Sequence, residues 1–512
     1  MLCLSKRRMK IMMALKVALI MLAILPGSHQ AETIHFVPAS SLNLTVPAGA
    51  KVREPVTLQV SLQQSLNTIG PHFLSVTLDT HLVQTNWSTF DLRSTKVKNL
   101  AHALSPSYLR FGGSMADSLY FQSPHGVAEK IVHATNRPLF NMTAKQFDDI
   151  ILFARTVGWD FIMDLNVLNR FPNGSWNPTN AREFLRYGSE KNYSIVGFQL
   201  GNEYDLFPDH DNYTLSPSQM AKDVSTLKNL LTEFPLYSSS FIVGPETATN
   251  RNNFFHSFLA DGGAALVRAS SLHHYYMKGS TAILKNYTDV VVMNRLVGFL
   301  QSALSQTRSV EPDLPLWLTE TSSAYGGGTH NISDRFVAGF LWLDKLGVSS
   351  NMGVKVVIRQ AFYGGNYALI DTHLNPNPDY WLTLLFKRLV RGPVFNVKGA
   401  SDVRMYAACA NPASFRQGAL VIYLLNPNNY FVPFNLPQFP HEVYHLYILT
   451  AGDSDGLLSK FSALNGKKLQ MNGNDLPDLP AVTQKQGRVI MPPYSFGFVV
   501  LPDADVTLCR DL

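Results

Sequence analysis

Eight short apolar runs, at residues 74–78, 108–111, 160–165, 194–200, 241–243, 269–273, 316–318 and 355–358, follow one another at intervals that leave room for a helix between most pairs. Such alternation commits a chain to parallel strands, because a parallel pair needs a long crossover and a helix is the usual one. Eight repeats predict an α/β fold, a closed (β/α)8 TIM barrel. Helical periodicity at 144–156, 218–231, 287–306 and 333–346 fills four of the intervals. In a barrel of this kind only residues just past the C-terminal strand ends face the open mouth. Those positions hold Asp79, Arg110 with Gly112-Gly113, Asn166, Asn202-Glu203, Glu246, His273-His274-Tyr275, Glu320 and Arg359-Gln360.

With 512 residues, 46% of them hydrophobic, the chain can bury a barrel and a second, smaller core. After Gly392-Pro393 the texture changes to short alternating runs at 404–408, 419–425, 443–449, 488–491 and 496–501, separated by turn dipeptides that include Asn465-Gly466 and Asn472-Gly473. This pattern predicts a β-sandwich. The stretch 33–62 also reads as strand and is expected to join that sandwich. The expected organisation is therefore a signal peptide at 1–31, N-terminal strands at 32–62, the barrel at 63–392 and the sandwich at 393–512.

Lys6, Arg7, Arg8 and Lys10 precede an apolar stretch from Val17 to Leu25, then Pro26-Gly27-Ser28 and the small residue Ala31, the layout of a secretory signal peptide. An uncleaved anchor is the alternative reading of the same stretch. With Lys16, those cations account for all but about +1 of the formal charge of +6, so a strong attraction of the whole mature chain for polyanions is not expected. Cys3 leaves with the signal, and Cys409 and Cys509 are expected to form a disulfide in an oxidising compartment, two unpaired buried thiols being the alternative. Eight Asn-x-Ser/Thr sequons, beginning at Asn43, Asn86, Asn141, Asn173, Asn192, Asn212, Asn286 and Asn331, suit a glycoprotein that is secreted to the extracellular matrix or held in the lysosome.

Glu203 and Glu320 each close an apolar run, in Leu200-Gly201-Asn202-Glu203 and Trp317-Leu318-Thr319-Glu320. Two carboxyl groups at the mouth of a barrel are what glycosidic cleavage needs. One is protonated to release the leaving oxygen and the other is ionised to attack the anomeric carbon, about 5–5.5 Å apart in a retaining enzyme.

Further motifs accompany the pair: Tyr108-Leu109-Arg110-Phe111-Gly112-Gly113, His273-His274-Tyr275-Tyr276, Thr321-Ser322-Ser323-Ala324-Tyr325-Gly326-Gly327-Gly328, the segment from Gly339 to Gly347, and Pro378-Asp379-Tyr380-Trp381. Together they resemble the heparanase family, the endo-β-glucuronidases of glycoside hydrolase family 79, from about Phe73 to Cys509. Val354 to Gln360 and Asn375 to Asp379 are also similar to leech-type hyaluronidase. The resemblance implies Glu203 as acid/base and Glu320 as nucleophile, with Asn202 on the sugar 2-hydroxyl, Tyr275 beside the nucleophile and His273 lining the substrate cleft. It further implies that the backbone N–H groups of Gly326 and Gly327, with Gly365 and Tyr367, bind the uronate carboxylate, and that Asp79 accepts a sugar hydroxyl.

Departures from the family pattern bear on the substrate. Ser114-Met115 stands where the family places a lysine, Ser280 where it places an arginine, and a basic cluster is reduced to Arg251. Each lost cation removes a sulfate contact, yet Tyr325 to Gly328 stays closer to the heparanases than to the leech-type enzymes, so the resemblance implies a retaining endo-β-glucuronidase that cleaves heparan sulfate, free or as proteoglycan, with cleavage of the unsulfated hyaluronan as the alternative. No long segment to be excised follows the second strand, so an active single chain, a monomer, is expected, with association at the cell surface only through glycans. The class furthest from this reading is a non-catalytic glycan-binding protein; retention of both carboxylates argues against it. An exo-acting β-glucuronidase stays open because cleft length is not written in a sequence. Zinc-type His/Cys spacing, a Gly-x-Ser-x-Gly elbow and a phosphate loop are missing, and there is no basic stripe for nucleic acid. Neither a metal nor an organic cofactor is expected.

Overall fold

The computed structural model describes residues 46–125, 132–249, 253–485 and 487–512. The expected signal segment and Arg251 lie outside the described residues.

All eight apolar runs are strands of one closed parallel barrel. They are β1 Leu74–Asp79, β2 Ser107–Gly112, β3 Trp159–Leu165, β4 Gly197–Leu200, β5 Phe241–Thr247, β6 Ala269–Lys278, β7 Leu316–Tyr325 and β8 Val356–Tyr363. A helix follows each in turn: α1 Thr95–His102, α2 Ala144–Val157, α3 Thr179–Glu190, α4 Pro217–Thr232, α5 Phe254–Ala260, α6 Val290–Val310, α7 Ala338–Met352 and α8 Pro378–Leu389. Local chemistry sets several boundaries. Thr143 and Gln146 form a reciprocal capping box at the start of α2, and Gly158 ends it in the left-handed region at φ 74°.

The two ends of the barrel are built differently. At the N-terminal end Tyr108 stacks on Trp317 at 5.4 Å between ring centres, and Phe241 packs edge-on against both, so aromatic rings fill that end. At the opposite end the register slips between Gly244 and Thr247 in β5, Leu272 and His273 in β6, Leu318 and Thr321 in β7, and Arg359 and Tyr363 in β8. A slip of this kind re-aims a side chain that regular pleating would send elsewhere. Glu246, His273 and Glu320 all sit at these slips.

The helix expected over 333–346 starts later. The N–H groups of Phe336 and Val337 donate to the carbonyls of Ser459 and Leu457, and the Ser333 hydroxyl bonds Tyr287, so these residues spend their hydrogen bonds outside a helix.

Beyond α8 the chain forms β9 Val390–Lys398, β10 Arg404–Ala410, β11 Leu420–Asn426, β12 Val443–Ala451 and β13 Ser495–Leu501. They hydrogen-bond in the order β9-β10-β11-β13-β12, with Gln59–Ser61 at the β9 edge. A small sheet of Val56–Thr57, Val432–Asn435 and Val489–Met491 belongs to the same module. One apolar core, including Leu58, Phe395, Ile422, Phe434, Ile448, Met491 and Val499, unites both sheets. Cys409 and Cys509 are bonded to each other within this core. β9 runs through Gly392-Pro393, the pair that reads in the sequence as a break; its register on β10 slips between Val390 and Val394, which accommodates the proline. Asn465-Gly466, with φ of 50° and 82°, makes the expected two-residue hairpin turn. No helix among the described residues is long and apolar enough to cross a membrane.

Candidate active site

β4 ends at Leu200, and the next residues turn sharply, placing Glu203 in the left-handed region at φ 54°. That conformation is costly for a residue with a side chain and must be held from outside. The Glu203 N–H donates to the Glu246 carbonyl at 2.9 Å, and the Asn202 N–H donates to Asp117 Oδ2 at 3.0 Å. Glu320 enters the same space from β7. One ligand atom each of Glu203, His273 and Glu320 lie within 4.8 Å of one another.

The centre of the site is Arg110, wholly buried on β2. Its Nη1 donates to Glu320 Oε2, its Nε to Gln199 Oε1 and its Nη2 to Asn202 Oδ1, each at 2.7 Å; Asp164 Oδ2 lies 3.4 Å from Nη2. Burial opposes that charge, but the attraction of Glu320, Asp164 and Glu246 outweighs it and the guanidinium stays ionised. Glu320 is nearly buried too, which favours the neutral acid. His273 and Arg110, with hydrogen bonds from Tyr275 and Arg110, win over burial and hold its carboxyl below the ordinary value. The Tyr275 hydroxyl donates to Glu320 Oε1 at 2.7 Å.

His273 is placed otherwise than the family resemblance suggests. It is fully buried, its Nδ1 lies 2.8 Å from Glu203 Oε1 and its Nε2 3.1 Å from Glu246 Oε2, so neither nitrogen is left to line a cleft. Burial works against its protonation, yet the charge of Glu320 and the bonds to Glu203 and Glu246 push its pKa up to about 10. The Glu203–His273–Glu320 cluster has the spacing of a metal site; Arg110 and Tyr275 hold the two Glu320 oxygens, and Glu203 and Glu246 the two His273 nitrogens.

The remaining expected residues gather around this centre. Asn202 is buried and its Oδ1 is held by Arg110, while among the described residues its amide nitrogen has no acceptor. Gly326 and Gly327 have φ of 77° and 83°, with open space where a Cβ would stand. Among the described residues their N–H groups have no acceptor within the chain. The Gly327 carbonyl accepts the Asn366 N–H at 2.7 Å, which ties this loop to Gly365 and Tyr367. The Tyr367 ring stacks on Tyr275 at 6.2 Å. Asp79 Oδ1 caps the turn after β1 through the His81 N–H at 3.0 Å. Its Oδ2 would lie 2.4 Å from a Cβ on Gly113, whose φ of 102° is itself a conformation that a residue with a side chain rarely adopts. Ser114 is exposed, and its carbonyl accepts from Arg137 Nη1 at 2.9 Å, while Arg137 is otherwise paired with Asp211.

Arg110 and Glu246 stand at strand ends in the sequence, yet the sequence reading gave them no role. Asp164, Gln199 and Asp117 lie outside the residues that the sequence singles out. The signal for Asp164 was an acid inside an apolar run, since a strand buried on both faces admits a charge only against a partner.

The family model "Glycosyl hydrolase family 79, N-terminal domain" matches residues 75–347. Heparanase of Mus musculus is 34% identical over 92% of this chain and 98% of its own length. Hyaluronoglucuronidase of Hirudo nipponia is 32% identical over 89% of this chain and 99% of its own. Among solved structures, a 4-O-α-L-rhamnosyl-β-D-glucuronidase from Fusarium oxysporum superposes with a TM-score of 0.63 at 16% identity, covering 87% of this chain and 100% of that one, a likeness of fold.

Proposed function

The chain belongs to glycosyl hydrolase family 79 and is a glycoside hydrolase, and from that premise we propose a retaining endo-β-glucuronidase that cleaves internal glucuronosyl bonds of heparan sulfate. Glu203 is the acid/base and Glu320 the nucleophile. The observation that carries this reading is the spacing of the two carboxyl groups, whose oxygens approach within 4.8 Å. Retaining enzymes hold the pair about 5–5.5 Å apart, whereas inverting ones leave roughly 6.5–9.5 Å for a water.

In the first step a Glu320 oxygen forms a bond to the anomeric carbon as the glycosidic C–O bond breaks. Its electron pair goes to the leaving oxygen, which takes the proton of Glu203. Water then attacks the glycosyl-enzyme, giving its proton to Glu203, and Glu320 departs. Arg110 and Tyr275 keep Glu320 ionised and aimed, so the nucleophile needs no separate base. The free Asn202 amide suits a sugar 2-hydroxyl, a contact that tightens as the ring gains oxocarbenium character. The Gly326 and Gly327 N–H groups form a cradle for a carboxylate, with Gly365 and Tyr367 beside it and Asp79 on a hydroxyl.

A hyaluronan-cleaving enzyme is the second reading. Ser114 and Ser280, both exposed at the barrel mouth, offer no charge to a sulfate, and the leech hyaluronoglucuronidase is about as similar in sequence as the mouse heparanase. We take the chain to be a secreted, glycosylated monomer. Incubation of the purified protein and of Glu320→Ala with size-defined heparan sulfate and hyaluronan at mildly acidic pH tests the reading. Shortening of heparan sulfate alone, absent in the variant, is expected. Shortening of hyaluronan alone selects the second reading, and cleavage of neither polymer overturns both.

A further inference from the structure

Glu246 takes no part in the chemistry above, yet it meets the candidate acid/base by two routes, one direct and one through His273. Its carbonyl accepts the Glu203 N–H at 2.9 Å, which fixes the left-handed backbone of that residue. Its carboxylate reaches the Glu203 side chain through one intermediary: Glu246 Oε2 lies 3.1 Å from His273 Nε2, and His273 Nδ1 lies 2.8 Å from Glu203 Oε1. The other oxygen accepts from the Ser271 hydroxyl and, at 3.0 Å, from Thr319 Oγ1. Only 1% of Glu246 is exposed, and it adopts φ 41°, so the fold spends both strain and a buried charge here.

We propose that Glu246 is a positioning residue that neutralises the His273 imidazolium and thereby lets Glu203 keep its proton until the leaving oxygen takes it. The inference rests on Glu203 being the acid/base. A cation hydrogen-bonded to a carboxyl group favours its ionised form, and a second carboxylate on the far side of the ring lessens that pull. Glu246 cancels that charge from the far side of the ring while leaving Nδ1–H pointed at Glu203. Once the proton has gone to the leaving group, the same N–H steadies the new carboxylate for the second step. The other charged or titratable groups facing Glu203, His273 and Glu246 are, among the described residues, Arg110 from β2, at 3.7 Å from Glu246, Asp164 from β3, Tyr204 after β4, Tyr275 from β6, Glu320 from β7 and Tyr367 after β8. Arg110 is already matched by Glu320, Asn202 and Asp164, which leaves Glu246 as the carboxylate in contact with the far nitrogen of His273.

The test is Glu246→Gln, which keeps size and the acceptor for His273 but removes the charge. Its pH–rate profile is compared with wild type on the polymer and on a nitrophenyl glycoside of the uronate-containing disaccharide, whose leaving group needs no acid. The expected result is a basic limb displaced to lower pH by about one unit, a roughly tenfold or greater loss on the polymer above that limb, and less than about threefold loss on the activated glycoside. An unmoved limb with equal losses on both substrates overturns the inference. If Glu246→Gln does not fold, Glu246→Asp keeps the charge but shortens its reach to His273 Nε2 and should displace the limb in the same direction by a smaller amount; no displacement there overturns it as well. Glu203→Gln runs in parallel: polymer cleavage that survives this change overturns the acid/base assignment itself, a failure separate from that of Glu246.

Discussion

Arg110 Nη1 lies 2.7 Å from Glu320 Oε2 while the same guanidinium grips Asn202 and Gln199, so one buried cation couples the candidate nucleophile on β7 to the strand that delivers the acid. A lysine supplies the charge but not the fork, and cannot hold three partners in a plane. Arg110→Lys is expected to lower kcat by about 100-fold or more with a folded protein. Arg110→Met leaves buried carboxylates unpaired and should cost about 3–5 kcal/mol in urea unfolding. Steady-state kinetics and denaturant melts of the two variants separate these effects.

Tyr275→Phe removes one of the hydrogen bonds that keep Glu320 ionised. Glu320 sits below its ordinary value of 4.5, and it must be ionised to attack, so the acid limb of kcat/KM lies below that pH in the wild type. The variant should show the limb displaced upward. A hydrogen bond to a charged group contributes about 1.5–3 kcal/mol, so kcat should fall by roughly 10- to 100-fold. A full pH–rate profile reads both effects, and an unmoved acid limb would contradict the role given to Tyr275.

His273 makes stability depend on pH. Its folded value of about 10 stands above the ordinary 6.5, so its ion pairs stabilise the fold fully below about 6.5 and are lost as pH climbs through about 10. The wild-type melting temperature is expected to drop across that window by roughly 3 °C more than that of His273→Gln. Parallel slopes for the two proteins in calorimetry would speak against a charged His273.

The Cys409–Cys509 bond closes a loop with a sequence separation of 100 inside the sandwich core. On a chain-entropy account, replacing both cysteines by alanine should cost about 4–5 kcal/mol. Unfolding midpoints of the double variant and of the reduced wild type should then agree.

The barrel was legible because its strands are continuous apolar runs with polar punctuation at one end, and Glu203, Glu320, Tyr275 and Asn202 stood at that punctuation. The spatial logic around them was not. Arg110 and His273 act through partners contributed by other strands, and nothing in a linear chain says that Glu246 and Glu203 meet the two sides of one ring. The register slips in β5 to β8 that bring them together have no local signature either, since they arise from packing around the closed sheet. The late start of α7 was hidden for the same reason: the acceptors for Phe336 and Val337 lie more than a hundred residues downstream, at Leu457 and Ser459.

Those two hydrogen bonds bear on how this enzyme could be cut or recombined. α7 is buried on every side from Ala338 to Ser350; Tyr406 bonds its Asp344, Tyr423 bonds its Ser350, and Gly347 lies so close to the Tyr406 ring that no Cβ would fit. A helix buried on every face, with its few polar side chains bonded inside the protein, has no face to offer water. The barrel is therefore not a detachable cassette. A fragment ending after Leu389 would present one of its own wall helices naked to solvent and slacken the loop that leads from Gly326 and Gly327 to α7. Shuffling among relatives has to move the sandwich along with the catalytic half, as one heritable block.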